Sequence, residues 1–145
     1  MLKYKKALLT ASAALALFLG TGAAYAAHET EPNDTPQTAN PGPTFFSEVS
    51  GAISSPTDLD YYKIDAFDYP SARPYIFFGS NSSDVEYELH VYEKNGNDYT
   101  LIRKNTTQSG LGGIGVPGNG KEHYILIKSA NGRFTSKGYV FRHFT

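Results

Sequence analysis

Past residue 44 the chain runs as short stretches rich in Val, Ile, Tyr and Phe, separated by clusters of Gly, Pro, Asn and Ser. No stretch there sustains an apolar period of 3.6, so the pattern predicts strands and turns rather than helices. The predicted strands cover residues 45–53, 60–67, 75–79, 86–94, 98–104, 122–129 and 137–144. Alternation is cleanest in the fourth, where Tyr87, Leu89 and Val91 share one face and Glu86, Glu88 and His90 the other. Asn95-Gly96-Asn97-Asp98 is a hairpin signal, because Asn and Gly accept positive φ, and Asn131-Gly132 marks a second turn. About seven or eight short strands joined this way predict an all-β domain, an antiparallel sandwich of two sheets.

Two stretches break the pattern. Residues 35–44 hold Pro36, Pro41 and Gly42 and read as an extended linker or edge wrap. Residues 109–120 hold six glycines around Pro117. With no helix pattern and no Lys-Ser/Thr after them they are no phosphate loop, and they read as a flexible crossover between sheets.

The first 26 residues follow another logic. Lys3, Lys5 and Lys6 precede an apolar run from Ala7 to Leu19, and Ala24-Tyr25-Ala26 closes the segment. A basic start, a short apolar centre and an A-x-A end are the features of a cleaved export signal, and the run is shorter than the ~20 residues a membrane-spanning helix needs. The expectation is cleavage after Ala26 and a secreted, extracellular protein with no membrane anchor. It divides into residues 1–26 as signal, 27–44 as an acidic segment and linker, and 45–145 as the sandwich. There are no cysteines, so neither disulfides nor a lipidated cysteine are available, and the core must hold the fold without staples.

Charge sharpens this picture. Without the leader the chain carries a formal net of −4, unevenly spread: residues 29–68 hold eight acids against Lys63 alone, while the rest is net basic by three. No Lys/Arg-dense stripe supports nucleic-acid binding. The acid-rich third opens with Glu29-Thr30-Glu31-Pro32-Asn33-Asp34. In an extended chain residues two apart point the same way, and a proline biases its predecessor towards extension, so Glu29 and Glu31 present carboxylates to one side. Asn33 and Asp34 add oxygens, and Asp58 and Asp60 repeat the two-apart spacing before a strand. Ca²⁺ takes six to eight oxygens in irregular geometry, whereas a chain with no Cys and four scattered His offers little to zinc or copper. On residue types alone a solvated acidic tail is the simpler reading.

The opening Glu29-Thr30-Glu31-Pro32-Asn33-Asp34, then Gly51, then Asp58-Leu59-Asp60-Tyr61-Tyr62-Lys63-Ile64, resembles the bacterial pre-peptidase C-terminal domain family. Ser83 to Tyr92 with Asn95-Gly96, the strand from Glu122 to Ile127, and Gly138 to Phe141 resemble its later strands, with Glu86 where an Asp is usual. The resemblance spans residues 29–144. It implies a jelly-roll sandwich, and its relatives in clostridial collagenases bind collagen and hold calcium. Carried over by motif, the implied ligands are Glu29, Glu31, Asn33, Asp34, Asp58 and Asp60. Members usually follow a peptidase, whereas here the export signal leads directly into the motif.

The functional expectation is a secreted, non-catalytic binding module, calcium-stabilised, that recognises an extracellular polymer or protein, with collagen as a ligand by family analogy only. Tyrosine combines apolar area with a polar tip, and Tyr92, His90 and Tyr99 are the candidate contacts. An accessory partner of a separately encoded secreted protease is the alternative. A small secreted hydrolase is the weakest reading, since none of His28, His90, His123 and His143 sits in a nucleophile-and-base motif.

Overall fold

The computed structural model of the protein describes residues 27–67 and 74–144. The expected export signal at residues 1–26 lies outside them. Ten strands form: β1 (Ala27–His28), β2 (Asn40–Pro41), β3 (Glu48–Gly51), β4 (Leu59–Ile64), β5 (Tyr75–Ser80), β6 (Tyr87–Asn95), β7 (Asp98–Thr106), β8 (Leu111–Gly115), β9 (His123–Ser129) and β10 (Tyr139–Phe144). A single 3₁₀ turn, Pro36–Thr38, is capped by Thr35. The strands make two five-stranded sheets, a first in the order β1-β3-β10-β5-β8 and a second in the order β2-β4-β9-β6-β7. From β3 to β10 every connection crosses between sheets except the β6–β7 hairpin, which turns through Gly96 at φ 64°. Orders 3-10-5-8 facing 4-9-6-7 are those of a jelly roll.

The sandwich is therefore as expected, but it has more strands than seven or eight and its sheets are mixed. All pairs among β3–β10 are antiparallel, whereas β1 lies parallel to β3 and β2 parallel to β4. The stretch read as a linker thus supplies an edge strand. The glycine-rich stretch is not simply a flexible crossover, because its first half is β8. Its glycines are needed: the Tyr75 ring occupies the space a side chain at Gly113 would take, and the Arg103 guanidinium that at Gly115. Asn105 of β7 donates to Gly113 O at 2.7 Å, covering the outer edge of β8.

Strand alternation fills the core. In β4, Asp60, Tyr62 and Ile64 point inward while Leu59, Tyr61 and Lys63 stay half-exposed. Leu89 and Val91 of β6, Ile125 and Ile127 of β9, and Phe78 and Phe141 of the first sheet meet them, each at most 1% exposed. Rings interlock edge-on or tilted, Tyr62 with Phe141 at 4.7 Å and Phe78 with Tyr87 at 4.9 Å. Burying each large apolar side chain contributes about 1.5–3 kcal/mol, so a core of this composition holds without disulfides.

Candidate metal centre and binding face

The inward parity of β4 that buries Ile64 also buries Asp60, and at this end of the sandwich the core turns polar. Asp60 is fully buried. Tyr139 of β10 donates to Asp60 Oδ2 at 2.5 Å, its hydroxyl lies 2.8 Å from that of Tyr62, and Tyr62 donates to Glu29 Oε2 at 2.9 Å. Glu29 Oε1 accepts from the Ala52 amide at 2.6 Å. Gly51 stands where any side chain would collide with the Glu29 carboxylate and both tyrosine hydroxyls, which gives the glycine of the motif its physical reason.

Glu31 completes the group. One carboxylate oxygen each from Glu29, Glu31 and Asp60 fall within 4.8 Å of one another. The chain reaches this spot through a cis Glu31–Pro32 peptide. Asn33 is fully buried beside them. With its amide nitrogen inward it donates to Glu31 Oε2 at 2.9 Å and Asp60 Oδ1 at 3.3 Å, while its oxygen accepts from Asn40 at 2.8 Å; turned over, the amide would add an oxygen to the cluster. The Asn33 backbone oxygen accepts from the Tyr61 amide at 3.0 Å, which ties the opening segment to β4.

The remaining predicted ligands stand apart. Asp58 Oδ2 accepts from the Ser54 amide and hydroxyl at 2.5 and 2.7 Å, which occupies that oxygen in closing the 54–58 turn. Asp34 is exposed, and it and Asp58 reach Glu31 only as neighbouring charges. The two tyrosines were not among the predicted site residues. The signal was present in Asp60-Tyr61-Tyr62, because the alternation that points Asp60 inward does the same to Tyr62, whose buried hydroxyl then needs a partner.

Electrostatics decides what this cluster can do. No ion pair among the described residues reaches Glu29, Glu31 or Asp60. Burial pushes the Asp60 carboxyl well above the usual carboxylate range, with the Glu29 and Asp58 charges adding and the Tyr139 hydrogen bond opposing. Glu31 is raised too, chiefly by burial and against its bond from the Asn33 amide. A proton on Asp60 lets Asp60, Tyr139, Tyr62 and Glu29 form one unbroken donor chain, each group donating to the next. A divalent cation answers the same charge with oxygen ligation, and the donor set, carboxylates and an amide, suits a hard ion.

The outer face of the second sheet is the other feature. Pairing registers place Tyr61, Tyr124, Tyr92 and Tyr99 on it, with His90, Leu126 and Leu101. Tyr61 lies 6.2 Å from Tyr92, and Tyr99 stands edge-on to Tyr124 at 5.0 Å. Leu126 and Tyr124 are covered at 4% and 5% exposure, although they point away from the core, and Leu101 stays 46% exposed. Glu88 Oε1 meets His90 Nε2 at 3.0 Å, and His90 Nδ1 lies 3.2 Å from the Tyr92 hydroxyl. The candidate contacts Tyr92, His90 and Tyr99 thus share one face, and Tyr61 joins them. Lys104 and Lys128 hold Glu88 from the flanking strands.

The other histidines divide between surface and core. His28 Nδ1 lies 2.8 Å from Ser50 Oγ and closes β1 onto β3, with no carboxylate bonded to the ring among the described residues. His123 and His143 are buried, and burial holds both rings below the ordinary imidazole value. No helix among the described residues is long and apolar enough to cross a membrane.

No family model matches the chain, and no curated protein matches it. Among solved structures, a mitogen derived from Yersinia pseudotuberculosis is similar at 13% identity over 72% of this chain and 87% of that one, with a TM-score of 0.49. What the chain itself establishes is the architecture: an all-β jelly-roll sandwich with a carboxylate cluster at one end that runs from buried Asp60 through half-buried Glu29 to exposed Glu31.

Proposed function

We propose that the protein is a secreted, non-catalytic binding module of the pre-peptidase C-terminal type, held at its opening segment by a calcium ion. The reading stands on one observation: a fully buried Asp60 meets Glu29 and Glu31 with no basic partner among the described residues. An uncompensated buried charge is costly, and a cation at this point removes the cost while tying the opening motif to β4. Glu29, Glu31 and Asp60 would hold the ion with the Asn33 amide oxygen, and its role is mechanical. The family reading draws support from the same meeting of the E-x-E-P-N and D-x-D-Y-Y segments, and from the jelly-roll order of strands.

The binding surface in this reading is the tyrosine face of the second sheet. Tyr61, Tyr92 and Tyr99 stand half-exposed on it over a covered base of Leu126 and Tyr124, and apolar rings with polar tips spread over a sheet face suit a polymer or protein surface better than a small molecule. The test is co-sedimentation of the mature protein with fibrillar collagen, chitin and cellulose, beside a pull-down from culture supernatant. Tyr92→Ala and Tyr99→Ala should each weaken capture about tenfold if these rings anchor the contact. Capture that neither substitution changes would remove this face from the proposal. Capture of a secreted protease instead of a polymer would identify the ligand as a protein.

A further inference from the structure

Residues 39–46 run as a strap along one side of the sandwich, tied at the near end by Asn40, which exchanges hydrogen bonds of 3.2 and 3.1 Å with Thr30. The far end is held by His143 of β10. The His143 backbone oxygen accepts from the Phe46 amide at 2.9 Å, and its ring donates to the Pro43 backbone oxygen. That ring stacks on Phe45 at 4.4 Å and 24°, and meets Phe67 edge-on at 5.3 Å. It is 2% exposed, and its Nε2 is buried without a hydrogen-bond partner among the described residues. Phe46, just beyond, is held at φ 64° with its side chain 72% exposed. A bulky residue rarely adopts that left-handed conformation, and such outliers persist only where surrounding contacts enforce them.

We propose that His143 is an acid-operated latch: as neutral imidazole it clamps residues 39–46 to the sandwich, and on taking a proton it releases them. Neutral, the ring uses one N–H on Pro43 and leaves a bare nitrogen among apolar neighbours. Protonated, it carries a second N–H with no acceptor among the described residues and a full charge between Phe45 and Phe67, an arrangement burial penalises heavily. Release lets the ring reach water, frees the Phe46 backbone from its strained conformation, and widens a cavity, about 470 Å³ in the clamped form, that Pro41, Pro43, Phe45, Ile64 and Phe67 line beside His143. Among the described residues few charges stand near enough to compensate. Lys63 and Asp65 line the same cavity but bond each other at 3.4 Å. From β5 the residue paired with His143 is Ile76, the strap brings Pro43, Phe45 and the uncharged hydroxyl of Thr44 to the cavity, and Arg142 faces the other way onto Glu48. The depressed basicity of the buried ring agrees with this geometry. The latch acts at the far end of the strap and does not use the tyrosine face; its near end shares Asn40 with Asn33 of the carboxylate cluster, so the calcium level is held fixed in its test.

Hydrogen exchange on the mature protein between pH 7.5 and 5.5 tests it, read as protection factors so that intrinsic exchange is removed. The reporters are the Phe46 amide, bonded to His143 O, and the Gly42 amide, bonded to Lys63 O at 2.8 Å; the β6–β9 amides are the reference. With an open-state imidazole near its ordinary value, opening of the strap should rise by up to about tenfold across this range, with the reference amides changing less. His143→Phe keeps the stack and His143→Asn keeps a donor towards Pro43; in whichever folds, the excess of strap opening over the reference amides at low pH should be lost. The buried His123 stays in both variants, so any pH dependence it causes survives there and is separated. Strap protection that does not change with pH in the wild type overturns the proposal, as does a strap pH dependence as large in the His143 variants as in the wild type.

Discussion

Asp60→Asn separates a cation site from a merely structural hydrogen bond, because the two readings predict different signs. Asn keeps the shape and an oxygen to accept from Tyr139, and removes only the charge. In chelator the wild type must hold either a proton on Asp60 or an uncompensated buried charge. Its carboxyl is raised by burial, so the stability it contributes is complete below the unfolded carboxylate range and is lost as pH rises towards the folded value. That loss is at most about 1.4 kcal/mol per pH unit. In chelator, Asp60→Asn should therefore match or exceed the wild type, and its advantage should widen from pH 6 to pH 8. With calcium the order should invert. An ion bound only to the native state adds about 2.7 kcal/mol at a hundredfold excess over its Kd, which for a domain of this size is roughly 10 °C in Tm. Scanning calorimetry of both proteins, each with millimolar calcium and with chelator, reads all four values. A wild-type Tm indifferent to calcium, or an Asp60→Asn protein less stable by the same amount in both conditions, would refute the reasoning.

Gly51→Ala forces a methyl group into the Glu29 carboxylate and two hydroxyls; it should cost about 1–3 kcal/mol in urea unfolding and abolish the calcium-dependent part of Tm. Phe78→Ala, which empties a fully buried site, should cost about 3–5 kcal/mol without altering the calcium increment, and a changed increment would mean that core and site are coupled. Glu88 is held down to about 2; burial works against this, and hydrogen bonds from Lys104, His90 and Lys128 outweigh it. Its stabilisation is thus present above the ordinary value of 4.5 and lost as pH falls towards 2, so Glu88→Gln should flatten the acid limb of stability between pH 5 and 3, and an unchanged limb would discount the network.

Much of the fold was legible because one face of each sheet is buried, and burial imposes a period of two on strands such as β4 and β6. What escaped did so for physical reasons. β8 carries three glycines, so it has almost no side-chain pattern; its need for glycine comes from Tyr75 and Arg103, which arrive from elsewhere in the chain. β1 and β2 are two residues each, too short for any periodicity, and exist only because β3 and β4 offer edges. In the site, Glu29, Glu31 and Asp60 were readable as oxygen donors. That Asp58 would turn to Ser54 was not, since a turn's hydrogen bond depends on backbone placement rather than on residue spacing.

The opening segment leaves β1 on the edge of one sheet and enters β2 on the edge of the other, with Glu29, Glu31 and Asn33 between. One short piece of chain thereby shields two unpaired strand borders, the places where β-proteins recruit strangers. If an ion fastens that piece, scarcity of the ion would uncover both borders at once, and self-association under calcium depletion, rather than simple loosening, becomes the characteristic way for this molecule to fail.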